Sequence, residues 1–297
     1  MRTPGSTRYY HRRVFAYVNG SVVDDAQAAI SVFDHGFTVG DGVFETIALR
    51  QGRPCAVSRH LARLVRSAVR LGLARPDPDE VRRAIDLTVA ANPFIGWGAL
   101  RVTYTSGPGS VGSGRSGATA TTVVGAREMP PYDELAEVIT VPWPRNERGA
   151  LVGVKSTSYA ENALALADAH RQGAGEALFA NTRGDLCEGS GTNVFLVLNG
   201  QLVTPPLSSG CLDGITRGLV IERCGVPVEE RDIPLEVLYL SDEAFLTSAT
   251  RDVQPIRSVD GRGVASCPGP ITHQVAQAYA DLLAAEPDPP AGDAYSR

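Results

Sequence analysis

The chain has 297 residues, 43% of them hydrophobic and 21% charged, with 31 glycines, 20 prolines and a net charge of −5. This is ordinary globular usage for one large or two ordinary domains, and it excludes a disordered or fibrous protein. No apolar run reaches the roughly eighteen residues of a membrane span, the basic start (Met1 to Arg13) lacks the apolar core of a secretory signal, and the acidic balance argues against a nucleic-acid partner. Five scattered cysteines (Cys55, Cys187, Cys211, Cys224 and Cys267) show no zinc-ligand spacing and read as reduced thiols of a cytoplasmic protein.

Residues 1–13 read as a flexible arm. Phe15–Gly20 and Ser21–Val23 form a hairpin closed at Asn19-Gly20, a pair that accepts the left-handed turn. Gly42–Leu49 alternates as a strand and is turned back at Gln51-Gly52-Arg53. From a predicted cap at Ser58, the residues Leu61, Leu64, Val65, Ala68, Val69 and Leu71 recur at helical spacing as far as Gly72. Asp79–Ala91 is a second helix, and Ala99–Ser106 and Ala120–Gly125 are β-rich segments on either side of a Gly/Ser loop. Met129-Pro130-Pro131 then breaks the pattern.

Beyond that break, strands are predicted at Glu137–Val141, Ala177–Asn181 and Glu243–Ser248, and Leu151–Val154 also looks strand-like. Asn193–Leu198 and Gln201–Thr204 make a second hairpin, closed at Asn199-Gly200. Helices are predicted over Tyr159–Gln172, Gly214–Cys224 and Thr272–Ala285, and residues 286–297 have the composition of a flexible tail. The expected architecture is α+β or mixed α/β. It comprises a small N-terminal domain over 14–128, a linker over 129–134 and a larger domain over 135–285.

One residue stands out by arithmetic. Of 28 basic residues, 27 are arginines and only Lys155 is a lysine. An arginine serves solubility and ion pairing well but cannot act as an amine nucleophile. The surviving lysine is therefore a candidate for amine chemistry, although a lone lysine can also be a surface accident. No carboxylate among Ser156, Thr157, Ser158 and Tyr159 holds it charged, and burial would lower its pKa from the ordinary value of about 10.4.

If that lysine holds pyridoxal 5′-phosphate (PLP), an acid, a phenolic-oxygen donor and an anion site are also needed. Glu188 follows the lysine by 33 residues in the small-residue run LCEGSGTNVF, and Tyr159 follows it by four. Gly214-Ile215-Thr216-Arg217 opens a predicted helix, which is an anion site. Taken singly, Glu188 is more often a loop carboxylate and Arg63 a solvated helix arginine, and Thr216 is a capping hydroxyl. Asp34-His35 reads as a structural turn rather than a dyad.

Six blocks in register carry a resemblance: SVFDHGFTVGDGVFET, RHLARL, the isolated Lys155, EGSGTNVF, GCLDGITR and DEAFLTSATRDVQPI. In these the chain resembles the fold-type IV PLP enzymes, namely branched-chain aminotransferases, D-amino acid transaminases and 4-amino-4-deoxychorismate lyases, from about Tyr17 to Arg262. The resemblance implies a two-domain enzyme with the PLP cleft between its domains, acting on a small amino substrate as a homodimer. It gives Lys155 the Schiff base and the proton transfer at the substrate α-carbon, and Glu188 the pyridine nitrogen. Tyr159 would meet the phenolic oxygen, although its spacing from the lysine is one residue shorter than in the branched-chain enzymes. Arg63, Ile215, Thr216 and the Ser248-Ala249 turn would bind the phosphate, with Ala249 replacing a threonine of the branched-chain type.

The pocket pattern separates the subtypes. Val39 and Ala99 stand where branched-chain enzymes carry tyrosines, and Ser106 where D-amino acid transaminases carry an arginine. Thr46, Arg101 and Arg115 match the lyases, whose dicarboxylate substrate two arginines could bind, with Thr46 assisting catalysis. Val39 and Thr250 are placed beside the substrate. The favoured expectation is therefore elimination of pyruvate from aminodeoxychorismate to give p-aminobenzoate. The C-terminal half stays close to the branched-chain enzymes, so transamination is the alternative; a non-catalytic PLP-binding homologue is a more remote one. Arg101 has its own alternative, an ion pair within the small domain.

Overall fold

The structure, a computed structural model, describes residues 12–291. The expected arm up to His11 and the tail beyond Ala291 lie outside the described residues. Among the described residues the chain builds one six-stranded and one nine-stranded sheet, with helices packed on both. It is a mixed α/β fold.

The first sheet contains β1 (Phe15–Val18), β2 (Ser21–Asp24), β3 (Gly42–Arg50), β4 (Arg53–Pro54), β5 (Trp97–Thr105) and β6 (Thr121–Glu128), in the order β2-β1-β6-β5-β3-β4. All its neighbours are antiparallel. The β1–β2 turn forms as expected, with Asn19 at φ 45° and Gly20 at φ 97°. The short helix α1 (His35–Thr38) is capped by Asp34, whose other oxygen accepts from Thr105 Oγ1 at 3.0 Å, so Asp34 is a turn builder.

Helices α2 (Val57–Arg70) and α3 (Pro78–Ala91) cover this sheet. Leu61, Leu64 and Ala68 of α2 pack against Val43, Ile47 and Leu49 of β3. The period-two alternation of β3 puts Glu45 on that same buried face, and Phe44 and Thr46 on the other. The predicted cap of α2 is corrected. Ala56, not Ser58, precedes the first turn, and Ser58 gives its N–H and hydroxyl to Asp288 at 2.7 and 2.9 Å. The expected flexible tail is thus docked over residues 286–291, because its carboxylate meets the unpaired donors of a helix end.

The second sheet draws on β7 (Ala136–Thr140), β8 (Glu176–Ala180), β9 (Leu186–Gly189), β10 (Asn193–Leu198), β11 (Gln201–Thr204), β12 (Val228–Glu230), β13 (Glu243–Ser248) and β14 (Asp252–Val259). Their order is β12-β11-β10-β13-β14-β7-β8-β9, and β15 (Arg262–Gly263) pairs with β14. The β11–β12, β14–β7 and β7–β8 pairs are parallel. Helices α5 (Ile215–Arg223) and α6 (Pro270–Ala285) cover the face bearing Phe195 and Phe245, whose rings stack at 4.9 Å. Helix α4 (Ala160–Arg171) packs beside β8.

Leu151–Val154 is not a strand. Val152 N–H returns to Gly149 O and Val154 N–H to Leu151 O, so local turns consume the donors a ladder would need. The segment after it is nonetheless tied to the first sheet. Phe44 N–H donates to Lys155 O at 2.9 Å and Thr157 N–H to Gly42 O at 2.8 Å, so the lysine is held against β3.

Candidate active site

A cavity of about 230 Å³ lies between the two sheets. Phe44 and Thr46 of β3, Arg101 of β5, and His60 and Arg63 of α2 line it from one side. Glu188 of β9, Gly214, Ile215 and Thr216 at the start of α5, and the Thr247–Thr250 turn line it from the other. Lys155 and Tyr159 also line it.

The Lys155 amine lies 4.4 Å from the centre of the Phe44 ring and 5.5 Å from that of Tyr159. Burial costs the ammonium its hydration, and the Arg63 and Arg101 charges add repulsion. Against the opposing pull of Glu45 and Glu188, these bring its pKa down to about 7. The amine is therefore substantially neutral near neutrality. Tyr159 stands edge-on to Phe44 at 5.1 Å between centroids, and burial pushes its phenol up, so it remains a donor.

One end of the cavity is built for an anion. Gly214 is the N-cap of α5, and a Cβ there would run into the Asn193 side chain, so the helix start approaches β10 closely only as glycine. Arg63 reaches this end from α2 and donates Nη1–H to Asp213 O at 2.9 Å. Its aim is set from below by Glu45, which accepts from Arg63 Nε at 2.8 Å and Nη2 at 2.6 Å, and lies 2.7 Å from His60 Nδ1. Burial pushes the Glu45 carboxyl up, but the Arg63 charge and these hydrogen bonds outweigh it and hold the pKa at about 2. Thr216 Oγ1 lies 3.2 Å from Tyr279 OH of α6. Ser248, Ala249 and Thr250 line the same side; Ser248 Oγ accepts from Arg251 N–H at 3.1 Å, and Thr250 O accepts from Arg50 at 3.4 Å.

The cavity also carries a carboxylate, Glu188. Glu188 Oε2 accepts from Leu212 N–H at 2.8 Å, and Oε1 lies 3.3 Å from Arg145 Nε. Burial raises the Glu188 pKa, and the Arg145 charge and the Leu212 N–H partly oppose it. The Arg145 guanidinium also sits 4.3 Å above the Phe179 ring. The donor set fits PLP. It offers a neutral amine, a carboxylate for the pyridine nitrogen, and a helix start with an arginine for the phosphate. The buried Thr192 and Thr247 hydroxyls line the cavity and have no partner among the described residues.

At the mouth, Arg101 is exposed. It lies 3.3 Å from the Phe44 ring centre and donates to Thr46 Oγ1 at 3.3 Å, its partner in the β3–β5 register. Two expectations are corrected here. Arg115 is outside the cavity, donating to both Asp41 oxygens at 2.7 and 2.6 Å and to the Gly72 and Leu71 carbonyls at 2.6 and 2.9 Å. With those bonds it locks the Gly/Ser loop onto the end of α2. Val39 closes α1, is 42% exposed and is also outside the cavity.

Glu45, His60, Phe44, Arg145 and Tyr132 were not singled out from sequence. A glutamate between Val43 and Ile47 on the apolar face of an alternating strand was the available signal for Glu45. Tyr132 lies within the expected linker, where nothing local points to a cavity.

A family model described as amino-transferase class IV matches residues 42–259. The chain is 32% identical over 280 residues to the D-alanine aminotransferase of Listeria monocytogenes serotype 1/2a, covering 90% of this chain and 95% of that one. It is 30% identical over 284 residues to the branched-chain-amino-acid aminotransferase of Pseudomonas aeruginosa, covering 90% and 92%. The branched-chain aminotransferase of Thermoproteus uzoniensis, solved with norvaline, superposes with a TM-score of 0.85 at 31% identity, covering 96% and 97%.

Proposed function

The chain belongs to the class IV aminotransferase family and is a PLP-dependent enzyme, and on that premise we propose that it moves an amino group between an α-amino acid and a 2-oxo acid. The observation that carries this is the Lys155 amine, with a pKa of about 7, sharing one cavity with Arg63, the start of α5 and the largely buried Glu188.

Bound PLP supplies an electron sink for charge developing at the substrate α-carbon. Arg63, Thr216 and the first N–H groups of α5 would bind its phosphate, with a helix start favouring the dianion. Glu188 would keep the pyridine nitrogen protonated, and Tyr159 would donate to the phenolic oxygen. Lys155, neutral and in reach of the cavity, would take the proton from the substrate α-carbon and deliver it to the cofactor side of the amino nitrogen, the shift that amino transfer requires. Arg101, beside Thr46, would bind the second carboxylate of a dicarboxylate substrate at the mouth.

Transamination stands ahead of the lyase reading. The lyase expectation needed two arginines for two carboxylates, and Arg115 is committed elsewhere. The relatives named above are aminotransferases. The Thr46 hydroxyl in the cavity keeps elimination as a second reading. Incubating the holoenzyme with L- and D-amino acids and a 2-oxo acid should form the new 2-oxo acid at catalytic turnover. Pyruvate release from aminodeoxychorismate, with no amino transfer to any 2-oxo acid, would overturn it.

The exposed apolar run of Val32, Phe33 and Phe37 supports a homodimer through that segment. The five free thiols suit the reducing cytoplasm.

A further inference from the structure

Helix α2, which carries Arg63, begins without a cap of its own. Ala56 occupies the N-cap in the left-handed region (φ 53°, ψ 36°), and its methyl group accepts no hydrogen bond. Residues more than two hundred positions away supply what is missing. Ala56 N–H donates to Pro287 O at 2.7 Å, and Asp288 takes the Ser58 N–H and hydroxyl, also drawing Arg82 of α3 to 3.3 Å.

The same segment is tied to α5. Buried Arg59 donates Nε–H to Pro290 O at 2.9 Å and holds Glu222 of α5 at 2.6 Å, while Glu286 pairs with Arg223 of α5 at 3.0 Å. The segment continues α6, whose Tyr279 meets Thr216 at the α5 start. One continuous piece of chain therefore grips both halves of the anion site, Arg63 on α2 and Thr216 on α5.

We propose that residues 286–290 form a strap that holds α2 against α5 at the spacing a phosphate requires, with Asp288 as its positioning residue. This rests on the PLP-phosphate reading given above. Loss of the cap frays the first turn of α2 and lowers the fraction of molecules with Arg63 in place. The apparent affinity for a phosphate then falls by that fraction.

The test compares PLP, inorganic phosphate and pyridoxal, which lacks the phosphate, in titrations of the cofactor-stripped protein. Asp288→Ala should weaken PLP and inorganic phosphate by about three- to ten-fold. Pyridoxal should bind as to wild type. Asp288→Asn, which keeps an acceptor at the cap, should restore PLP binding to within about two-fold. A chain ended at Ala285 should lose at least as much as Asp288→Ala, which decides the matter alone if the shortened chain does not fold.

Unchanged PLP affinity in Asp288→Ala overturns the strap, as does an equal loss for pyridoxal and PLP, which would mark general destabilisation. Arg63→Ala separates the two readings. If it also binds PLP normally, the phosphate assignment itself fails. If it loses PLP while Asp288→Ala does not, only the strap fails.

Discussion

In the proposed mechanism the chemistry turns on Lys155, and being the only lysine makes it unusually testable. Borohydride reduction of the holoenzyme should fix the cofactor at Lys155 alone; an adduct confined to the N-terminal amine would remove it from its role. Its depressed pKa also has a signed consequence for stability. The folded-state value of about 7 lies below the ordinary 10.5, so folding disfavours the charged amine. That cost is full below about pH 7 and vanishes as the pH rises towards 10.5. In cofactor-stripped protein, Lys155→Met should therefore raise Tm near pH 6 and converge on wild type above about pH 10. A gain independent of pH would mean that the amine is not desolvated. Glu188→Gln keeps the shape but loses the charge that the proposed mechanism sets at the pyridine nitrogen. We expect kcat to fall at least about ten-fold, roughly 1.4 kcal/mol in the barrier, with little change in Tm. Turnover within a few-fold of wild type would place the acid elsewhere.

Strand β3 and its partner β5 divide labour between their faces. The buried face carries Glu45, which aims Arg63, and the opposite face carries Thr46 beside Arg101. Arg101→Ala should remove one charge-assisted contact of about 1.5–3 kcal/mol, or about ten- to a hundred-fold in kcat/KM for a dicarboxylate substrate. A monocarboxylate amino acid should lose little. Arg115→Ala is the contrasting change. Its partner Asp41 is held below the usual carboxylate range by the Arg115 hydrogen bonds, but the guanidinium is 39% exposed and solvent screens the pair. We expect about 1 kcal/mol of stability lost and kcat/KM nearly unchanged for either substrate class. A large, dicarboxylate-specific loss in Arg115→Ala would return that residue to the substrate site.

At the scale of the whole molecule, the homodimer proposed above is tested at the exposed segment around α1. Val32 is 69% exposed, Phe33 52% and Phe37 71%, an apolar cluster that water disfavours. Light scattering at micromolar concentration should give twice the chain mass, and Phe37→Asp should shift the population towards monomer. A fully active monomer of the wild-type chain would refute the assembly.

What the sequence determined by itself is what local chemistry can encode. Asn19-Gly20 and Asn199-Gly200 make their turns because those residues accept left-handed backbone, and the apolar spacing of α2 sets its buried face wherever it packs. Lys155 was legible because a chain otherwise written in arginine keeps an amine only at one place, and Glu188, Arg63 and Thr216 followed in register with it. The tertiary structure decided what depends on which distant group arrives. Arg115 and Arg101 are the same side chain in sequence, yet Asp41, 74 residues from Arg115, neutralises one while the other lies over Phe44 at the mouth. Glu45 became the support of Arg63 only because α2 packs over β3. Asp288, in a segment whose composition suggests disorder, became a helix cap because the first turn of α2 leaves donors that a carboxylate from the far end of the chain accepts.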